Sequence, residues 1–125
     1  MMAGFVGRQL RRFANTVRWS LDGWRAAWAS EQSVRQWTIV NILSAGFAVW
    51  LPLTAGERGL ILALGLLVLA FELANTAIEA LVDHILPDIS PVAKKAKDCG
   101  SAAVALAALA GGAAWAMVLV RVWQG

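Results

Sequence analysis

The segment GLILALGLLVLAFELANTAIEALVD, Gly59 to Asp83, decides how the rest of the chain is read. Between Arg58 and Glu72 it carries no polar side chain. Glu72, Asn75, Glu79 and Asp83 then follow at i, i+3, i+7 and i+11. At 100° per residue a helix gathers these four within about 80° of arc. The pattern predicts a helix over about 58–85, stopped by Pro87, whose ring and missing N–H cannot continue it. At ~1.5 Å per residue such a helix is longer than the ~30 Å hydrocarbon core of a bilayer, so it tilts or protrudes.

A carboxylate at mid-bilayer costs about 2.5–3.5 kcal/mol, so three on one face require an offsetting role. Interhelical bonding or residence at headgroup level would account for Asp83, near the helix end. Glu72, about three turns deeper, is harder to explain that way, and a carboxyl buried there suits a general base for a hydroxyl. Two carboxylates with a third nearby also offer an oxygen site for Mg²⁺, which takes one or two carboxylates and completes its shell with phosphates. Glu79 is a candidate ligand about one turn from the helix end, and Glu31 is a second. In isolation Glu31 reads simply as an acid in a first helical turn, stabilised by the macrodipole.

Outward from this helix the chain divides into three more helical segments, with no strand, no internal repeat and a single domain over residues 1–125. Residues 6–28 place Leu10, Phe13, Val17, Leu21, Trp24 and Trp28 on one face and arginines on others. That amphipathic stretch belongs along a membrane surface. A second helix, about 31–52 with Ser30 as its N-cap, reaches the minimum length of a span. A short turn from Pro52 to Glu57 precedes the central helix. A polar connection holding Asp88, Pro91, Lys94, Lys95 and Lys97 leads into the last helix, about 92–122. Its GSAAVALAALAGGAAWAMV run is small-residue rich, as suits close helix packing in lipid. The expected fold is all-α: a surface helix followed by three transmembrane helices.

Composition agrees. Of 125 residues 59% are hydrophobic and 15% charged, and the mean hydropathy is +0.62. The net charge of +3 is unevenly placed. Arg8, Arg11, Arg12, Arg18, Arg25 and Arg35 precede the first long apolar run, Lys94, Lys95 and Lys97 lie in the last connection, and only Arg58 and Arg121 lie elsewhere. The positive-inside rule then puts the arm and the lysine connection in the cytoplasm, and three spans set them opposite the Pro52–Arg58 turn and the C-terminus, which hold Arg58 and Arg121. Such a distribution fits an anionic membrane face and not nucleic acid. One cysteine, Cys99, excludes an internal disulfide, and with a single histidine, His84, a transition-metal cage is not expected. The basic amphipathic N-terminus does not read as a cleavable signal.

No Walker A loop, kinase glycine-rich loop, HRD or DFG is present. Phosphoryl transfer nevertheless needs mainly alignment, metal and charge neutralisation, which three carboxylates and a lysine from KKAKD (Lys94–Asp98) can supply. Lys94 and Lys95 read as ordinary positive-inside decoration, whereas Lys97 and Asp98 open an apolar helix, where a solvated charge run is less natural.

At GWRAAWASE (Gly23–Glu31), ELANTAIEALVD and AKDCGSAAV (Ala96–Val104) the sequence resembles the prokaryotic diacylglycerol kinase family over nearly its whole length. The resemblance implies a bacterial inner-membrane homotrimer that uses ATP and Mg²⁺ to phosphorylate diacylglycerol to phosphatidic acid. It implies Glu72 as the base, Glu31 and Glu79 as the magnesium ligands, and Lys97, Asp98 and Arg12 as nucleotide contacts. Trp19, where well-known relatives have tyrosine, keeps the stacking and loses a hydrogen bond, and Asp88 falls in the nucleotide loop. Arg25, Asn75, Asp83 and Ser101 would shape the site, and Trp37 stands where some relatives carry an acid. Undecaprenol kinases of the same family form the nearest alternative. An ion- or proton-coupled transporter and a scaffold with carboxyls as interhelical glue are the alternatives from other classes.

Overall fold

The computed structural model describes residues 1–125, and every regular element in it is a helix. In chain order they are α1 (Met2–Ser30), α2 (Gln32–Trp50), α3 (Ala55–Ile85) and α4 (Pro91–Gln124).

One residue separates α1 from α2. Glu31 leaves the helical region at φ −111° and ψ 116° and is itself the N-cap of α2. Ser30, expected in that role, is the last residue of α1, and its hydroxyl donates to the Glu31 carboxylate at 3.2 Å. The reason lies at the end of α1, whose final carbonyls are occupied. The Glu31 N–H donates to the Ala27 carbonyl at 2.8 Å, and Arg35 Nη1 reaches the Trp28 carbonyl at 2.5 Å and that of Ala29 at 3.5 Å. A cation on terminal carbonyls stabilises a helix end, so α1 continues past Trp28.

α3 likewise starts earlier than the apolar run implies. The Thr54 hydroxyl accepts from the Glu57 N–H at 3.2 Å while Glu57 Oε2 accepts from the Thr54 N–H at 2.9 Å. This reciprocal capping box begins the helix at Ala55, three residues before Arg58. α4 begins with Pro91 after Ser90, whose Oγ accepts from the Ala93 N–H at 3.1 Å.

α3 and α4 have the length and apolarity of membrane spans. α2 spans 19 residues and dilutes its apolar surface with Thr38, Asn41 and Ser44, so it falls short of the same measure. α3 is the central element, packed most extensively on α4, less on α2 and lightly on α1. Gly65 lets α2 and α3 close up, because Asn41 Oδ1 lies where a Cβ would stand. Trp115 of α4 donates its indole N–H to Ser44 of α2 at 2.9 Å.

The apolar core gathers at one end, where Ala48, Leu53, Ile61 and Val118 are buried together. Polar clasps hold that end. Arg58 donates to the carbonyls of Ala48 at 2.7 Å and Leu51 at 3.4 Å, closing the end of α2. Arg121 of α4 holds Glu57 from Nε and, at 2.7 Å, from Nη2, which also reaches the Pro52 carbonyl at 3.1 Å. Only 12 of 125 residues are buried, and Leu43, Leu66, Leu106, Leu109 and Met117 face outward. So much apolar surface, on helices that satisfy their own backbone, calls for a membrane environment.

Candidate active site

The acidic face of α3 forms a gradient from interior to rim. Glu72 is 4% exposed and Asn75 9% exposed, Glu79 is half-buried, and Asp83 is exposed. This is the face that meets α2 and α4, as the i, i+3, i+7, i+11 spacing requires.

Each group on it has a distinct partner. Ser33, from the first turn of α2, donates its hydroxyl to Glu72 Oε1. Asn75 donates from Nδ2 to Glu79 Oε1 at 3.4 Å, a long bond that leaves Glu79 accessible. Asn75 Oδ1 is buried with no donor. It sits against α4 at Gly100, where an added Cβ would come within 2.2 Å of it. One turn further out, Lys97 Nζ of α4 pairs with Asp83 Oδ1 at 2.5 Å and lies within the field of Glu79.

Asp98 does not pair with Lys97. Lys97 and Asp98 are adjacent on a helix and so point about 100° apart. Asp98 is instead bridged by Lys94, one turn earlier, in an exposed pair of the same helix. The two ion pairs line a groove of about 270 Å³ between the end of α3 and the start of α4. Asp88, Ile89 and Ser90 of the connection close its other side. The groove thus unites Asp83, Asp88, Lys97 and Asp98 from the sequence-based set, with cations and carboxylates side by side.

Other candidates lie apart within one chain. Arg12 and Trp19 sit on exposed faces of α1 and share no ion pair or hydrogen bond with the α3–α4 groups. Arg25 lies 3.7 Å from Asp22 of its own helix, an exposed pair of little energetic weight. Glu31 is at the α1–α2 break, bonded to Ser30, and Ser101 is exposed on α4.

Ser33 and Gly100 contact the acidic face of α3, although the sequence reading named neither as a site residue. Gly100 carried a signal, a small residue in the Lys-Asp-x-Gly-Ser stretch where helices approach closely. Ser33 carried none, since no local periodicity links residue 33 to residue 72.

A model of the family described as prokaryotic diacylglycerol kinase matches residues 18–119. A diacylglycerol kinase of Pseudomonas aeruginosa is 40% identical over 111 residues, covering 89% of this chain and 90% of that protein. One from Escherichia coli K12 is 36% identical over 108 residues, 86% and 88% of the two chains. One from Haemophilus influenzae is 32% identical over 110 residues, 88% and 93%. The matched region contains the whole acidic face, Glu31, Lys97 and Asp98, while Arg12 precedes it.

Proposed function

Because this chain belongs to the prokaryotic diacylglycerol kinase family, we propose that it transfers the γ-phosphoryl group of ATP to the free hydroxyl of 1,2-diacylglycerol, giving phosphatidic acid. Three relatives bear the name diacylglycerol kinase at 32–40% identity, each covering most of both chains. The observation that carries the reading is the near-complete burial of Glu72 on the polar face of a span-length helix. A carboxylate there meets a hydroxyl whose acyl chains stay in the bilayer.

Glu72 accepts the hydroxyl proton as the oxygen attacks the γ-phosphorus of ATP and ADP leaves with the bridging oxygen. Lys97, at the rim groove, offsets charge on the transferred group, and Asp88 and Asp98 contact the nucleotide from the groove wall. Arg12 and Trp19 approach the nucleotide from the arm, and Arg25, Asn75, Asp83 and Ser101 shape the site.

The donor set suits Mg²⁺. No three His, Cys, Asp or Glu side chains converge to hold a metal by themselves. Glu79 has an accessible carboxylate, and Glu31 offers a second from the cytoplasmic junction. One or two carboxylates with phosphate oxygens is the arrangement this ion prefers. When bound with ATP it supplies charge neutralisation across the phosphates.

α2 is the third span, which puts the α1–α2 junction and the α3–α4 connection together in the cytoplasm of the bacterial inner membrane. A homotrimer with shared sites accounts for the separation of Arg12, Trp19 and Glu31 from the α3–α4 groups, and for the outward apolar surface.

The test is transfer of labelled phosphate from Mg-ATP to dioleoylglycerol in detergent micelles by wild type and Glu72→Gln. Labelling of the lipid by wild type, lost in a folded Glu72→Gln protein, is the expected result. No labelling of diacylglycerol by folded wild type overturns the substrate, and undecaprenol is then the substrate to try.

A further inference from the structure

Glu72 is held by a bond from outside its own helix. The carboxylate lies 4% exposed on α3, and one of its two oxygens, Oε1, accepts from Ser33 Oγ, 39 residues away on α2. No hydrogen bond within the chain reaches Oε2. The geometry points to Ser33 as a positioning residue for phosphoryl transfer, fixing one oxygen of Glu72 so that the other faces the lipid hydroxyl. The inference rests on the reading of Glu72 as the base.

Three features place Ser33 for this. It is the second residue of α2 after the break at Glu31, so its position is set by the α1–α2 junction and by Arg35 on the carbonyls of α1. The amino-terminal turn of a helix carries unpaired N–H groups and partial positive charge, which attract a carboxylate brought against it. Next along α2, Val34 is fully buried, so this turn cannot rotate without unpacking the helix.

A glutamate has three side-chain torsions, and a buried one with no fixed contact would sample several carboxylate orientations. Fixing Oε1 removes that freedom and leaves Oε2 at one distance from the hydroxyl. Small losses of alignment are expensive in rate, because the base works only within hydrogen-bond reach of the proton it takes. Loss of the Ser33 hydroxyl therefore lowers turnover without touching either binding site.

Threonine and valine have the same shape and differ in one hydroxyl, so the test compares Ser33→Thr with Ser33→Val, alongside Ser33→Ala. In the micelle assay Ser33→Thr retains kcat within about twofold of wild type, while Ser33→Val and Ser33→Ala lose about tenfold, the scale of one hydrogen bond to a charged group. The KM values for Mg-ATP and dioleoylglycerol stay unchanged. Equal kcat for the Thr and Val variants overturns the inference, as does a rise in KM at constant kcat. If Glu72→Gln itself keeps full activity, the base assignment falls. If Glu72→Gln is inactive while Thr and Val behave alike, only the role of Ser33 falls.

Discussion

Replacing Gly100 by alanine puts a methyl group 2.2 Å from Oδ1 of Asn75, 3.2 Å from its Cγ and 3.6 Å from Cδ1 of Ile78. Ordinary contact needs about 3.4 Å or more, so the amide must retreat by about 1 Å or α4 must lift away from α3. Helix propensity favours alanine over glycine by about 1 kcal/mol, and overpacking costs about 1–3 kcal/mol. The net destabilisation is therefore about 0–2 kcal/mol, because the obstructing atom is at the end of a side chain and can swing. Function bears the larger effect. Swinging Asn75 takes its Nδ2 from Glu79, now accepted at 3.4 Å, and turns its donor-free Oδ1 from its present place. If Asn75 shapes the site as proposed, a displacement of that size costs on the order of 10²-fold in kcat. Gly112→Ala on the same helix is the control, since nothing lies within 4 Å of its added Cβ. The assay is lipid phosphorylation in micelles with a thermal melt on each variant. Wild-type kcat in a folded Gly100→Ala protein would refute the reasoning, as would equal losses in Gly100→Ala and Gly112→Ala.

At the opposite end, Arg121 bonds and then the Thr54 N–H hold the Glu57 carboxyl down to about 2 from an ordinary 4.5. A depressed carboxyl stabilises the fold above its unfolded value and loses that contribution as pH falls toward 2. Melting temperature should therefore drop between about pH 4.5 and 2, and Glu57→Gln should flatten that part of the profile. Lys97→Met should lower kcat by about 10²–10³-fold in the phosphorylation assay, the usual cost of removing one charge-stabilising donor, with the helical circular dichroism unchanged. Trp115→Phe should destabilise by about 0.6 kcal/mol, the average for an interhelical hydrogen bond in a membrane. In unfolding by denaturing detergent, Ser44→Ala should add nothing to it, because both remove the same bond.

The central helix, its acidic face and the amphipathic first helix were legible in the sequence because each depends on period alone. Glu72, Asn75, Glu79 and Asp83 share a face by arithmetic, and their order of burial follows from where α3 leaves its neighbours. Helix ends were less legible, since they depend on which side chain reaches a terminal group. Arg35 extends α1 through Ser30, and the Thr54–Glu57 box starts α3 at Ala55. Least legible were contacts between distant residues. Ser33 with Glu72, Asn75 with Gly100, and Lys97 with Asp83 all depend on the register in which helices meet. The second helix shows the limit of composition: its length suits a span, while Thr38, Asn41 and Ser44 serve packing and lower its apolarity.

On the proposed function, the two ends of the bundle divide stability from chemistry. Ala48, Leu53, Ile61 and Val118 are buried at the end where Arg58 and Arg121 fasten three helices. At the other end the most buried side chains of α3 are Glu72 and Asn75, one held by a single hydroxyl and the other with an orphan acceptor. A polar interior of that kind contributes little net stability, because each buried group must first recover its lost hydration. Its cost is tolerable where an apolar core and charged clasps hold the same helices farther along. Strengthening the clasp end should therefore raise melting temperature without changing turnover. Replacing polar groups at the chemical end by apolar ones should exchange turnover for stability, as expected wherever an active site is built from groups that packing alone would exclude.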